Sequence, residues 1–509
     1  MSNYAQDSEN SIHTPLLPDQ QTNPAQQNAF ARNLGAAEAF GVVVSVVIGS
    51  GIFTSTGAID ANVPSPGAAL IVWLAGGILA WTGASTMAEL GTTIPGQGGV
   101  QPYLQYIFGD IVGFLAAWTW ILAIMPATLA IISIVFIESI YSALGVTDQA
   151  QRIDHKLLSI LVLIFANVAN CISTRVSTRL NRFFVATKFV SVLGIVSAAA
   201  IVMIIHLLNR EGHTGSKDWY SRPWFGFRDT QATDGREIKW SEIPLWELLG
   251  HYSTALYGAL WAYSGWDKAI YITDELSAPA RQLPLAINSA VPIIILCFII
   301  ANAAYYVLLP WDVIPSTDSV AVTAMERLLG PGFGIVAAFL FCLVVAGSLL
   351  GNSFVAGRMV VAAAHQDWLP SFLGFIGHVR ASARPFNHPA AERSISDAPL
   401  NAIILSTLLP IFYILLGNFR ALLTFNGLGE YSFFCLTVLG AILLRFREPH
   451  RERPYKPFLL VPVVFALASG FVVIRGAAFA PFQACILLVL WLLGVAVYHL
   501  RKKIKARSA

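Results

Sequence analysis

The sequence predicts an all-α membrane protein of twelve transmembrane helices, laid out as a 5+5 inverted repeat in which helices 1 and 6 are broken. Three observations predict it. The 509 residues are 56% hydrophobic and only 12% charged, with a mean hydropathy of +0.63, far from the mixed composition of soluble domains. Apolar stretches of membrane-spanning length recur along the chain. Hydrocarbon offers no water to backbone groups, so each stretch satisfies its own N–H and C=O groups only as a helix. Two of the stretches are interrupted by small residues, and they open the two halves when the first ten are divided five and five.

The expected spans run roughly over 37–60, 67–90, 111–144, 156–173, 181–208 and 247–272 in the first half. They continue over roughly 284–309, 333–365, 399–416, 419–444, 458–476 and 480–500. The third and eighth exceed the ~20 residues needed to cross, so they tilt or extend beyond the bilayer.

The domain plan follows. Residues 1–33 are polar, Gln- and Asn-rich, with Arg32 the single arginine or lysine, and they lack the basic and apolar regions of a secretory signal. They read as a disordered cytoplasmic tail. Residues 34–208 form the first repeat, 209–246 an extracellular loop, 247–444 the second repeat, 445–500 helices 11 and 12, and 501–509 a basic cytoplasmic tail. Arg175, Arg179 and Arg182 follow span 4; Arg445, Arg447, Arg451, Arg453 and Lys456 follow span 10; and RKKIKAR closes the chain. The positive-inside rule then places both termini in the cytoplasm.

The five cysteines, Cys171, Cys297, Cys342, Cys435 and Cys485, fall in or at the ends of spans, which argues against a disulfide framework. The net charge of +3 comes from the basic connections and suits an anionic lipid surface, not nucleic acid. No HExxH, GxSxG or Walker A sequence occurs, and the intramembrane histidine and carboxylates are scattered. No metal, cofactor or enzyme chemistry is expected.

The two interruptions are IGSGIF at 48–53 and LWAYSGWD at 260–267. Glycines in membrane helices also serve as packing notches, but equivalent places in two repeats point to discontinuous helices whose ends meet a ligand at mid-membrane. After Gly51 the helix restarts with N–H groups that have no intrahelical partner and attract a carboxylate. The carbonyls ending the preceding half-helix, with those around Ala262 to Gly265, suit an ammonium group. A ligand carrying both charges a few ångströms apart is an α-amino acid.

At these residues the chain resembles the L-type amino acid transporters of the amino acid-polyamine-organocation superfamily, and within them the fungal methionine-type permeases. GSGIF, SPGAALIVWLAGG and AELGTTIPGQGG are similar to that family's first two spans and the loop after them. ALYGALWAYSGWDKAIYITDELSAPARQLPLAI is similar to its span 6 and following loop, and LLRFREPHRERPYK to its connection after span 10. The likeness runs from about residue 35 to residue 475. It implies the same broken-helix fold and sodium-independent transport of neutral, large or sulfur-containing L-amino acids at the plasma membrane.

Carried over, the resemblance implies that Ser50, Gly51 and Ile52 receive the substrate carboxylate. Trp261 takes the place of an aromatic gate, where the family often has Phe. Ala262, Tyr263, Ser264 and Gly265 form the unwound stretch that receives the amine. Lys188, inside span 5, stands where relatives dispense with sodium, and pairs in this reading with Gly49 and Ser348; snorkelling toward the cytoplasmic end is the alternative. Glu430 reads as a proton carrier, a polar wall of the pocket, or a structural hydrogen bond, and Tyr431 matches a pocket aromatic. Asp267 follows the span 6 break, where animal relatives carry Asn. Glu89, Asp274 and Glu275 read as loop and gate salt bridges. The segment GVTDQAQRIDH lacks the cysteine by which animal relatives tether a glycoprotein subunit, so no obligate disulfide-linked partner is expected. Proton symport and exchange both stay open, and a receptor that binds amino acid without moving it is the alternative function.

Overall fold

The computed structural model describes residues 35–94, 99–146, 152–172, 174–208, 215–231, 237–267, 276–375, 377–380, 395–398 and 400–508. The first interrupted stretch is divided into α1 (Ala36–Val47) and α2 (Gly51–Asp60). Then come α3 (Pro66–Thr93), α4 (Val100–Phe108) and α5 (Asp110–Thr119), which runs through a π turn at Trp120–Ile124 into α6 (Met125–Ala143). After α7 (Ile153–Ile172) and α8 (Thr174–Leu208), the long connection carries α9 (Asp218–Ser221) and the hairpin of β1 (Thr230–Gln231) with β2 (Glu237–Ile238).

The second half opens with α10 (Leu245–Ala262) and α11 (Pro279–Leu308). A 3-10 turn at Ile314–Ser316 leads to α12 (Val320–Leu329) and α13 (Pro331–His365). A second hairpin, β3 (Gly377–Arg380) with β4 (Ile395–Ala398), precedes α14 (Leu400–Leu416), α15 (Phe419–Arg447), α16 (Leu460–Phe479) and α17 (Pro481–Ser508). Among the described residues, nine helices are long and apolar enough to cross a membrane by length and composition. The expected ninth span is α14, at 17 residues. The expected first and sixth spans are the interrupted ones. Two boundaries differ from the sequence reading: α11 begins before Pro284, which sits inside it with Pro292, and α17 continues through the basic tail to Ser508. The expected tail at 1–33 and the Asp274–Glu275 pair lie outside the described residues.

Local chemistry sets the helix starts. The Ser65 hydroxyl accepts from Ala68 N–H at 3.2 Å ahead of Pro66, and the Asn418 side chain accepts from Ala421 N–H at 2.9 Å; each satisfies a donor that a helix start leaves bare. Gly109, at φ 93°, turns the chain between α4 and α5. Residues with a Cβ rarely adopt that conformation.

Packing pairs equivalent members of the two halves. The first span's α2 lies on the sixth span's α10, α3 lies on α11, and α6 lies on α13, the contacts expected of elements beside a pseudo-two-fold axis. Large apolar side chains also face outward, among them Phe165, Leu193, Leu467 and Ile474, where lipid replaces water.

Charged groups tie both ends of the bundle. At one end, Arg228 engages Asp60 Oδ2 and the Trp311 carbonyl, and the Tyr306 hydroxyl donates to Asp60. Beside it, Arg420 Nη2 lies 2.8 Å from Asp318 Oδ1 and donates to Pro315 O at 2.9 Å. At the other end, Arg445 Nε donates to Glu89 Oε1 at 2.9 Å, and Arg453 Nε lies 3.5 Å from the same oxygen.

Candidate functional site

The first break is a local failure of the i to i−4 ladder. Ile48 N–H still bonds Val44 O at 3.0 Å, but Gly49 N–H turns back to Val47 O at 2.8 Å. The helix restarts at Gly51, with Phe53 N–H bonded to Ser50 O at 3.0 Å and no side-chain cap at Ser50. The sixth span breaks at a matching depth. After Ala262 the chain turns through Tyr263, Ser264 and Gly265, with Ser264 N–H on Trp261 O at 3.0 Å and Gly265 at φ 109°. Only glycine takes that angle without strain. The two breaks touch: a Cβ on Gly51 would stand 3.0 Å from the Cβ of Ala262.

A cavity of about 630 Å³, including its part open to solvent, lies at this junction. Of the expected residues, Gly49, Ser50, Gly51, Trp261, Ala262, Ser264, Ser348 and Glu430 line it. Three do not. Ile52 is fully buried one step past the opening. Gly265 shapes the turn. Tyr431 follows Glu430 on one helix, so the ~100° step between neighbours sends its ring elsewhere, 5.4 Å from Phe434 and 6.3 Å from Phe465. Tyr263 likewise stacks on Phe298 at 4.7 Å and meets Trp73 edge-on.

Lys188 is buried on α8 but is not among the residues lining this cavity. It sits one turn beyond Phe184, whose ring abuts Gly347, the residue before Ser348. Gly49 and Ser348 are themselves neighbours, a Cβ on Gly49 falling 3.9 Å from Ser348 Oγ.

The sequence reading missed the third span's share. Trp120, Ile124, Met125 and Thr128 line the cavity, as do Asn352 and Asp267. The π turn that presents Trp120 and Ile124 has a cause in the sequence. Pro126 brings no N–H to the ladder, which leaves the carbonyl four residues back unclaimed and shifts the bonding. Met125 N–H reaches Trp120 O, and the orphaned Leu122 O accepts instead from the Tyr413 hydroxyl of α14 at 3.0 Å. A proline amid the apolar residues of span 3 was the available signal.

Electrostatically, the N-terminus of α2 faces the cavity from one side, and the C-termini of α1 and α10 from the other. Helix dipoles make the first region positive and the second negative. Among the described residues, the lining includes the carboxylates of Asp267 and Glu430 and no arginine or lysine. A smaller void shares Met125 with this cavity and Ile121 with a third, also of about 630 Å³. That third cavity is lined by Gln101, Ala117, Met359 and Gln366 among others, at the end of the bundle where Arg447 Nη1 donates to Ile107 O at 3.1 Å. At the opposite end the connection before α12 packs on α2, so closely that a Cβ on Gly57 would run into the Thr317 carbonyl.

A predominantly helical membrane protein with paired helix breaks around a central cavity defines a transporter class. Residues 34–491 match the amino acid permease family, and the chain belongs to it. It is 30% identical over 479 residues to the human b(0,+)-type amino acid transporter 1, covering 94% of this chain and 89% of that one. It is 31% identical over 476 residues to the large neutral amino acids transporter small subunit 2 of Mus musculus, covering 93% and 81%.

Proposed function

We propose that the protein is a sodium-independent secondary transporter of neutral L-amino acids, large or sulfur-containing, that works by alternating access at the plasma membrane with both termini cytoplasmic. The segment likenesses support a reading within the fungal methionine-type branch. The observation that carries this reading is the junction of the two breaks, where one positive and two negative helix ends share a cavity. The substrate carboxylate sits on the N–H groups of Gly51 and Ile52, and its ammonium faces the ends of α1 and α10, with Ser264 beside it. Asp267 and Glu430 make the cavity unfavourable for an acidic side chain. Trp261 closes over the substrate, and Lys188 braces α1 through Gly49 and Ser348 in place of sodium.

In this orientation the end carrying Asp318 and Arg420 is extracellular, and the chain of voids toward Gln101 and Gln366 is the inner route. No obligate disulfide-linked subunit belongs to this reading, since 145–155 contains no cysteine. The test is uptake of labelled methionine or leucine into proteoliposomes, driven by an inward proton gradient or by trapped internal amino acid, in sodium and in choline. Uptake under either drive that is equal in sodium and choline is expected, and the effective drive separates symport from exchange. Binding without flux would overturn transport in favour of a receptor, and a sodium requirement would overturn the role given to Lys188.

A further inference from the structure

A second charged cavity lies away from the substrate site, at the end assigned to the outside. It measures about 480 Å³ with its open part and is lined by Glu138 of α6, His155 and Lys156 of α7, Asp318 of the connection before α12, and Arg420 of α15. Resting on the transport reading for its orientation, we infer that Glu138 is a proton-binding site of the outer gate, competing with Asp318 for the single guanidinium of Arg420.

The described hydrogen bonds of the Arg420 guanidinium and the Lys156 ammonium go to groups other than Glu138. Arg420 Nε and Nη2 approach Asp318 Oδ1 at 3.0 and 2.8 Å, and Nη2 also donates to Pro315 O. Lys156 Nζ donates to Leu415 O at 2.8 Å. Glu138 Oε2 is buried and makes no hydrogen bond among the described residues. An ionised carboxylate held that way is costly. Two arrangements relieve it: Glu138 takes a proton, or it takes Arg420 from Asp318. Among the described residues, α12, α13 and α14 place no titratable group on this cavity, and the nearby Asp154, next to His155 in sequence, is held by Arg152 at 3.1 Å and the Tyr141 hydroxyl at 2.8 Å.

The choice moves the gate. Asp318 and Pro315 belong to the segment whose 3-10 turn packs on α2, the outer half of the first broken helix, while Arg420 and Glu138 stand on α15 and α6. With Glu138 protonated, Arg420 holds that segment down and the outer path stays shut. With Glu138 ionised, Arg420 turns to it and the segment is released. The proton comes from water on the outer face and returns there, so this step moves no proton across the membrane. His155 is the other candidate proton acceptor, because its Nε2 is also buried without a hydrogen bond.

The experiment is amide hydrogen exchange across residues 314–323 of the full chain in nanodiscs, corrected for intrinsic rates, between about pH 5 and about pH 8. The wild type should show protection that falls several-fold as pH rises. Glu138→Gln, which fixes the protonated hydrogen-bonding pattern, should stay protected throughout, and Asp318→Asn should be unprotected throughout. Wild-type protection that ignores pH overturns the inference. So does a pH dependence that survives Glu138→Gln and vanishes in His155→Gln. The readout needs no flux, so failure of the transport assay and failure of this gate are separable.

Discussion

Gly51 and Ala262 stand against each other where the two interrupted spans cross, so closely that a side chain on the first has no room beside the second. Both are therefore required by the same square of packing, whatever ligand the junction receives. Gly51→Val forces the crossing apart, and overpacking of this kind costs about 1–3 kcal/mol. Because the displaced atoms are the N–H groups that open α2, uptake should fall by about tenfold or more. Membrane insertion should remain intact. Substrate uptake alongside surface expression checks this, and equal uptake by Gly51→Val and wild type would refute the crossing's role.

Glu89 of α3 is enclosed with Arg445 and Arg453, its side chain only 3% exposed. Removing one partner of such an ion pair strands a buried charge, at about 3–5 kcal/mol. Glu89→Gln should lower the thermal midpoint of the purified protein markedly. Arg445→Lys should recover only part, since the guanidinium also donates to Pro457 O at 2.9 Å and an ammonium lacks the fork that does both. Unchanged melting in Glu89→Gln would show that the pair is dispensable.

The cluster after α15 supplies a pH test. Hydrogen bonds from the Arg451 guanidinium and then from the Tyr106 hydroxyl hold the Glu448 carboxyl below its ordinary value, with Arg451 Nη1 at 2.8 Å and Tyr106 Oη at 2.9 Å. A carboxyl lowered on folding contributes in full above its unfolded value, and that contribution disappears as pH falls through the depressed one. The gap in melting temperature between wild type and Glu448→Gln should therefore persist at neutral pH and close in strong acid. A gap that widened on acidification would reverse the sign.

How much of this was readable in the chain depended on whether the cause was local. The breaks at Gly49–Gly51 and Ala262–Gly265 were legible because small-residue interruptions fall at equivalent places in the two halves, and Glu430 and Ser348 came with the spans that carry them. Tyr431 was placed by likeness, and only the helical phase, set by the packing of α15 on α16, shows its ring turned to Phe465. Glu138 passed unremarked in span 3 because its meaning lies in Asp318 and Arg420, far along the sequence. The continuation of span 6 beyond Asp267 lies outside the described residues.

The π turn of span 3 gives the sharpest energetic test, because one proline creates a debt that one distant hydroxyl settles. Pro126 supplies no N–H, and Tyr413 Oη donates to the Leu122 carbonyl in its stead at 3.0 Å. Tyr413→Phe leaves that carbonyl unpaired in an apolar interior, which costs about 1–3 kcal/mol, and loosens the turn that presents Trp120 and Ile124 to the cavity. The variant should melt earlier and take up substrate more slowly. In a Pro126→Ala background the restored N–H can claim Leu122 O itself, so the same Tyr413→Phe change should cost far less. A double-mutant cycle on thermal stability measures the difference. Equal penalties in the two backgrounds would mean that the hydroxyl does not serve the proline's orphan, and that the π turn has another cause.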